Sequence, residues 1–199
     1  MSVLNPIYRF IFTISIFFGA LSLTAGQAVA APTEQDIQIF GTTLKGAKRE
    51  QLRQTLAKGG MQATREDSNY WFDIYDPRGA LEGASKFSVG YVSKSDQFAS
   101  AEYAFSSFMD KALVKKIVDL VASKYGRPSS VKGQYNLGPV TATWKLPKNM
   151  KIEVSRGWPD TTTYLTFIDV AAIQTMQAEM DAMEKRQKQQ KSQAQSRAF

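Results

Sequence analysis

The sequence predicts an α+β fold, with helices packed on an antiparallel meander sheet. Three observations carry that expectation. Residues 107–125 form an amphipathic helix with a clear stop. Residues 140–169 alternate apolar and polar over three successive runs. Residues 61–105 hold four further apolar runs separated by turn-forming residues.

On a helical wheel Leu113, Val114, Ile117, Val118, Leu120, Val121 and Tyr125 share one arc, while Lys111, Lys115, Lys116, Asp119 and Ser123 fill the other. One face is therefore built for a core. Ser107 and Asp110 have the spacing of a capping box, and Gly126 followed by Pro128 ends the helix, because proline cannot continue it.

In chain order, residues 37–43 read as a first strand and residues 47–58 as a short helix stopped by Gly59 and Gly60. The apolar face of that helix is thin, resting on Leu52 and Leu56. Strands follow at 61–65, 69–76, 86–94 and 97–105, with turn-forming residues at 66–68, 76–79 and 93–96. After the central helix come strands at 131–137, 140–146, 150–156 and 162–169. There Ala142, Trp144, Leu146, Ile152, Val154, Leu165 and Phe167 take the inward positions. Two helix-plus-four-strand units, 37–105 and 107–169, are the repeat this order implies. Residues 170–199 read as a C-terminal helix and a basic Gln/Lys-rich tail. Ile173, Met176, Met180 and Met183 form a narrow seam along that helix, fit either for the protein's own sheet or for a partner helix.

The first 30 residues carry one charge, Arg9, then an apolar run from Phe10 to Leu23, and small residues Ala28, Val29 and Ala30 ahead of Ala31. That is the layout of a cleaved secretory signal. The apolar run is shorter than the roughly 20 residues a membrane-crossing helix needs. A periplasmic or secreted location is therefore expected, with no membrane span after cleavage and 31–169 as the folded domain.

The chain of 199 residues has no cysteine and no histidine. Disulfides, thiolate and imidazole chemistry, and lipid attachment through cysteine are excluded, so an apolar core must hold the fold. The formal charge is +7, but Lys185, Arg186, Lys188, Lys191 and Arg197 against Glu184 place +4 of it in the tail. The nearly balanced body speaks against nucleic acid as partner. The tail offers at most a weak contact with an anionic surface.

Carboxylate, lysine, tyrosine and serine chemistry remain. Asp73 and Asp76 are three apart on a strand and cannot act as a pair from it. Ser129 and Lys132 match an S-x-x-K spacing, yet they follow a helix rather than opening one. The run from Tyr70 to Asp76 has apolar bulk on both faces, and Trp71, Asp73 and Tyr75 form a candidate binding patch of aromatics around a polar handle. Trp158, at a turn beside Arg156, is a second candidate contact.

Residues 43–52 (TLKGAKREQL) and 124–128 (KYGRP) resemble the helix-then-meander units of small periplasmic proteins, namely BamE-type outer-membrane-assembly proteins and the β-lactamase-inhibitor-protein-like fold. This chain departs from them in lacking a lipid-attachment cysteine and in having Ala47 where a threonine cap is expected. The resemblance implies binding surfaces rather than active sites. The expected function is thus an exported, non-enzymatic binding or assembly protein of the cell envelope, with no cofactor or metal and a protein or envelope component as partner. The alternative is a carboxylate-dependent hydrolase of envelope polysaccharide built around Asp73.

Overall fold

The computed structural model describes residues 36–107, 110–159 and 162–196. The expected signal segment and the last three residues lie outside them. The fold is α+β, as the sequence predicts. A small hairpin, β1 (Gln38–Ile39) and β2 (Thr42–Thr43), precedes helix α1 (Arg49–Lys58). Four strands follow: β3 (Gln62–Arg65), β4 (Phe72–Asp76), β5 (Ala84–Val92) and β6 (Gln97–Phe105). Helix α2 (Leu113–Tyr125) opens the second half, followed by β7 (Ser130–Gln134), β8 (Leu137–Leu146), β9 (Met150–Arg156) and β10 (Thr163–Asp169). Helix α3 (Val170–Ser196) ends the described chain.

The eight longer strands make one antiparallel sheet in the order β3-β4-β5-β6-β10-β9-β8-β7. Each half is a helix followed by a four-strand meander, and the two meanders meet through their last strands. Thr163 stands opposite Phe105, Leu165 opposite Tyr103 and Phe167 opposite Ala101. These residues point to one face, where α1 and α2 supply Leu52, Leu56, Val114, Ile117, Val118 and Val121 to a continuous core around Trp144, Tyr91, Phe98 and Phe105. Burying each such aliphatic side chain stabilises the fold by roughly 1.5–3 kcal/mol.

Six of the seven residues expected to point inward on β8, β9 and β10 are buried, and Leu146 is half-buried against the same core. The period-two alternation was sufficient there because one face stays wet. On β4, β5 and β6 the second face is covered instead. Ala172 and Met176 of α3 pack with Val92 and Ala99 there, with Trp71, Phe72, Ile173 and Met180 around them. Gly90 makes this layer possible, since a Cβ at that position would lie 2.8 Å from both the Phe72 ring and Ser100 Oγ. Asp169, at the junction of β10 and α3, is fully buried. It accepts the backbone N–H groups of Ala171 and Ala172 at 3.2 Å each, capping α3, and pairs with Lys45 Nζ at 2.8 Å.

Several expectations are corrected. The strand expected over 37–43 is a tight hairpin, because Phe40 (φ 46°) and Gly41 (φ 78°) turn left-handed between β1 and β2. Ser107 does not cap α2. Its hydroxyl lies 3.2 Å from Thr163 Oγ1, and Asp110 takes the cap role by accepting from the N–H groups of Ala112 and Leu113. Leu120, placed by the wheel in the buried arc, is 47% exposed. The strand expected over 131–137 ends at Gln134, and Leu137 already belongs to β8. The C-terminal helix runs as far as Ser196, with every residue from Asp181 to Ser196 exposed.

Candidate functional site

Helix α1 lies over β4 with Arg49, Leu52, Arg53 and Leu56 on one stripe, the spacing of a core-facing surface. Two of these four are charged, so the sheet beneath must answer them. Asp73 does so. It is fully buried, and its Oδ2 and Oδ1 accept hydrogen bonds from Arg53 Nε and Nη2, both at 2.9 Å. This bidentate pairing holds the Arg53 guanidinium well above its ordinary pKa range. Arg49 reaches past it: Nη1 donates to the carbonyls of Tyr70 and Asp67 at 3.1 and 3.3 Å, and the guanidinium sits 4.5 Å above the Tyr91 ring. Arg49 Nε lies 3.0 Å from Asp96 Oδ1 in an ion pair too bent to be a hydrogen bond.

Of the neighbouring tyrosines, Tyr75 joins the cluster through its hydroxyl and Tyr91 through its ring, its own hydroxyl being buried without a hydrogen-bond partner among the described residues. Tyr75 is 2% exposed and donates its hydroxyl to Glu66 at 2.8 Å. Burial, the neighbouring Tyr91 and that hydrogen bond push its ionisation far upward. Burial does the same to Tyr91. These groups are a structural ionic core joining α1 to the sheet.

The expected patch of Trp71, Asp73 and Tyr75 is therefore not formed. Asp73 and Tyr75 face α1 inside the core, while Trp71 precedes the strand and packs half-buried on the α3 side. The Asp73 carboxylate is enclosed there, with both oxygens taken up by Arg53. The signal that could have located this cluster was in α1, since arginines at 49 and 53 on the same stripe as leucines at 52 and 56 demand a buried anion. Among the described residues no group of three Asp or Glu side chains is placed to hold a metal ion.

The helix seam is also taken up by the chain itself. Met176 is 2% exposed, Ile173 and Met180 are half-buried against the sheet, and Met183 alone of the four is exposed, at 39%. Glu179 fixes this docking by accepting the N–H of Ser93 at 2.7 Å.

Trp158 stands apart from this set, for it is 71% exposed in the β9–β10 turn. Leu137, equally exposed, begins β8 at the same end of the sheet, because Val140 of β8 is opposite Arg156 of β9. Arg156, 5% exposed, ties this end together by donating to the Gly138 carbonyl at 2.9 Å and the Lys111 carbonyl at 3.1 Å. Two large apolar side chains are thus presented to solvent on neighbouring hairpin ends with a buried arginine behind them.

A second surface is concave. Between the β1–β2 hairpin, the loop around Leu81 and helix α2 lies a cleft of about 410 Å³. Tyr103, Leu165 and Phe167 form its floor and Phe40 and Leu120 stand at its sides. No single segment announces it, because five elements contribute.

No family model matches the chain, and no curated protein matches it. Among solved structures it is similar to the crystal structure of a DUF4309 family protein (YjgB) from Bacillus subtilis. The TM-score is 0.40 and the identity 13%, covering 68% of this chain and 86% of that one.

Proposed function

We propose that the protein is an exported, non-enzymatic binding or assembly component of the cell envelope, and that the hairpin end bearing Trp158 and Leu137 is where it meets its partner. The supporting observation is that pair of side chains, each 71% exposed on a hairpin end held by Arg156. An exposed tryptophan beside a second large apolar group, backed by a fixed arginine, has the composition of an interface centre rather than of ordinary surface. The signal-like segment at residues 1–30 supports export. The buried carboxylates support a non-catalytic role, since Asp73 is bound by Arg53 and Asp169 caps a helix.

The test is photocrosslinking in the native envelope from a photoreactive residue placed at position 158. A discrete adduct, lost when Leu137→Asp is added, is the expected result. The same adducts from a probe at the exposed Lys116 on α2 would overturn the assignment.

A further inference from the structure

The cleft beside α2 has the properties of a ligand site independent of the hairpin end. Its volume of about 410 Å³ falls within the roughly 300–1,000 Å³ of small-molecule sites. Its floor is the joint of the two half-sheets, where Tyr103 of β6 lies opposite Leu165 of β10 with Phe167 beside them. Apolar side chains at the rim are held open to solvent: Leu120 is 47% exposed and Phe40 is 45% exposed. Phe40 is fixed there by its left-handed backbone and by packing of its ring on Gly59, where a Cβ would come within 2.6 Å of the ring. The two rim side chains are therefore already in place, above a floor of Tyr103, Leu165 and Phe167 that is 3–8% exposed.

The polar groups narrow the ligand class. Lys124 is the charged group among the described lining residues, with Gln38 and Ser123 as neutral neighbours. The Ser123 hydroxyl already donates to the Leu120 carbonyl at 2.7 Å. Most of the lining is apolar, so it suits a polymethylene chain, which brings no backbone N–H or C=O groups to be satisfied. Tyr103 offers a hydroxyl with no hydrogen-bond partner among the described residues. Burial raises its ionisation to about 12, so it remains a donor at neutral pH.

We propose that this cleft binds a free long-chain carboxylate, with its apolar tail over Tyr103, Leu165 and Phe167 and its head group at Lys124. The match is one of charge as well as shape, because the lining carries a cation and no carboxylate. The site goes beyond the hairpin-end contact and does not depend on it.

Calorimetric titration of the purified protein with dodecanoate, below its micelle concentration, tests the assignment. Saturable binding at one site per chain is expected. Decanoate, two methylenes shorter, should bind about ten-fold more weakly, and the cation dodecyltrimethylammonium more weakly still. Leu120→Asp should lower dodecanoate affinity by about ten-fold or more, through a charged group on the apolar wall. Lys124→Gln should abolish the preference for the anion over the cation. Both positions are exposed, and an unchanged melting temperature confirms that the fold is intact. Should Leu120→Asp disturb it, the charge preference in Lys124→Gln decides alone. Absence of saturable binding, equal affinity for anion and cation, or affinity untouched by either substitution would overturn the proposal. Trp158→Ala should leave these titrations unchanged, so failure here and failure of the hairpin-end assignment are read separately.

Discussion

Arg53 and Asp73 meet through two parallel hydrogen bonds of 2.9 Å, one residue on helix α1 and the other fully buried on the fourth strand of the chain. Their geometry converts a surface-looking sequence feature into the joint between helix and sheet. Removing Asp73 leaves Arg53, 18% exposed, and the buried Arg49 beside it without their shared carboxylate.

Asp73→Ala should therefore destabilise the protein by about 3–5 kcal/mol, the usual cost of breaking a buried ion pair from one side. Replacing both partners, as Arg53→Met with Asp73→Leu, should recover much of that loss. Urea denaturation of the single and double variants measures the difference. A single variant within about 1 kcal/mol of the parent would show that the pair is better hydrated than its burial indicates.

Helix α3 should respond unevenly along its seam. Met176→Ala should cost about 2–5 kcal/mol, because a fully enclosed side chain leaves a cavity against Ala99 and Val92. Met183→Ala, at an exposed position, should stay within about 0.5 kcal/mol of the parent. Thermal unfolding resolves the two.

The start of α3 makes a separate prediction. Asp169→Ala removes two backbone hydrogen bonds and the partner of Lys45. It should cost about 1–2 kcal/mol. Hydrogen exchange should accelerate first at Ala171 and Ala172, whose amides lose their acceptor.

Glu102 predicts a pH dependence. Burial raises its pKa above the ordinary 4.5, opposed by the hydrogen bond it accepts from Thr166 at 3.1 Å. The folded state thus holds this proton more tightly than the unfolded chain, so its stabilising contribution is complete at pH below 4.5. It is lost as pH rises through the raised value. Glu102→Gln should consequently be more stable than the parent at about pH 7, with the difference vanishing in acid. Denaturation curves at several pH values check the sign.

Trp158→Ala, at a solvent-facing turn, should leave the melting temperature nearly unchanged while abolishing partner capture. A large fall in melting temperature would instead make Trp158 part of the turn's own packing.

The second half of the sheet was readable directly because β8, β9 and β10 each alternate cleanly, and α2 carried both its stripe and its glycine stop. The first half was less open. Its helix hides two arginines on the core-facing side, so hydrophobicity alone understates that face, and β4 is covered on both sides. The aromatic run at 70–75 carries apolar bulk on both faces and reads as a binding patch, because periodicity cannot say that Asp73 meets an arginine from 20 residues earlier. The methionine seam was visible as a seam, while its occupant, the back of β5 and β6, is a tertiary fact. The cleft had no local sign beyond an apolar Leu120 whose exposure depends on where α2 lands.

The mirrored strand order also has a consequence for how the chain folds. The first meander is complete at Phe105, yet the strand that protects its final edge begins only at Thr163. Until β10 docks, β6 with Phe98, Tyr103 and Phe105 is therefore an unsheltered template, whose partner strand lies nearly sixty residues further along the chain. Such an edge invites pairing with a second chain that is still folding. Chaperone occupancy during folding should accordingly fall sharply once β10 has docked.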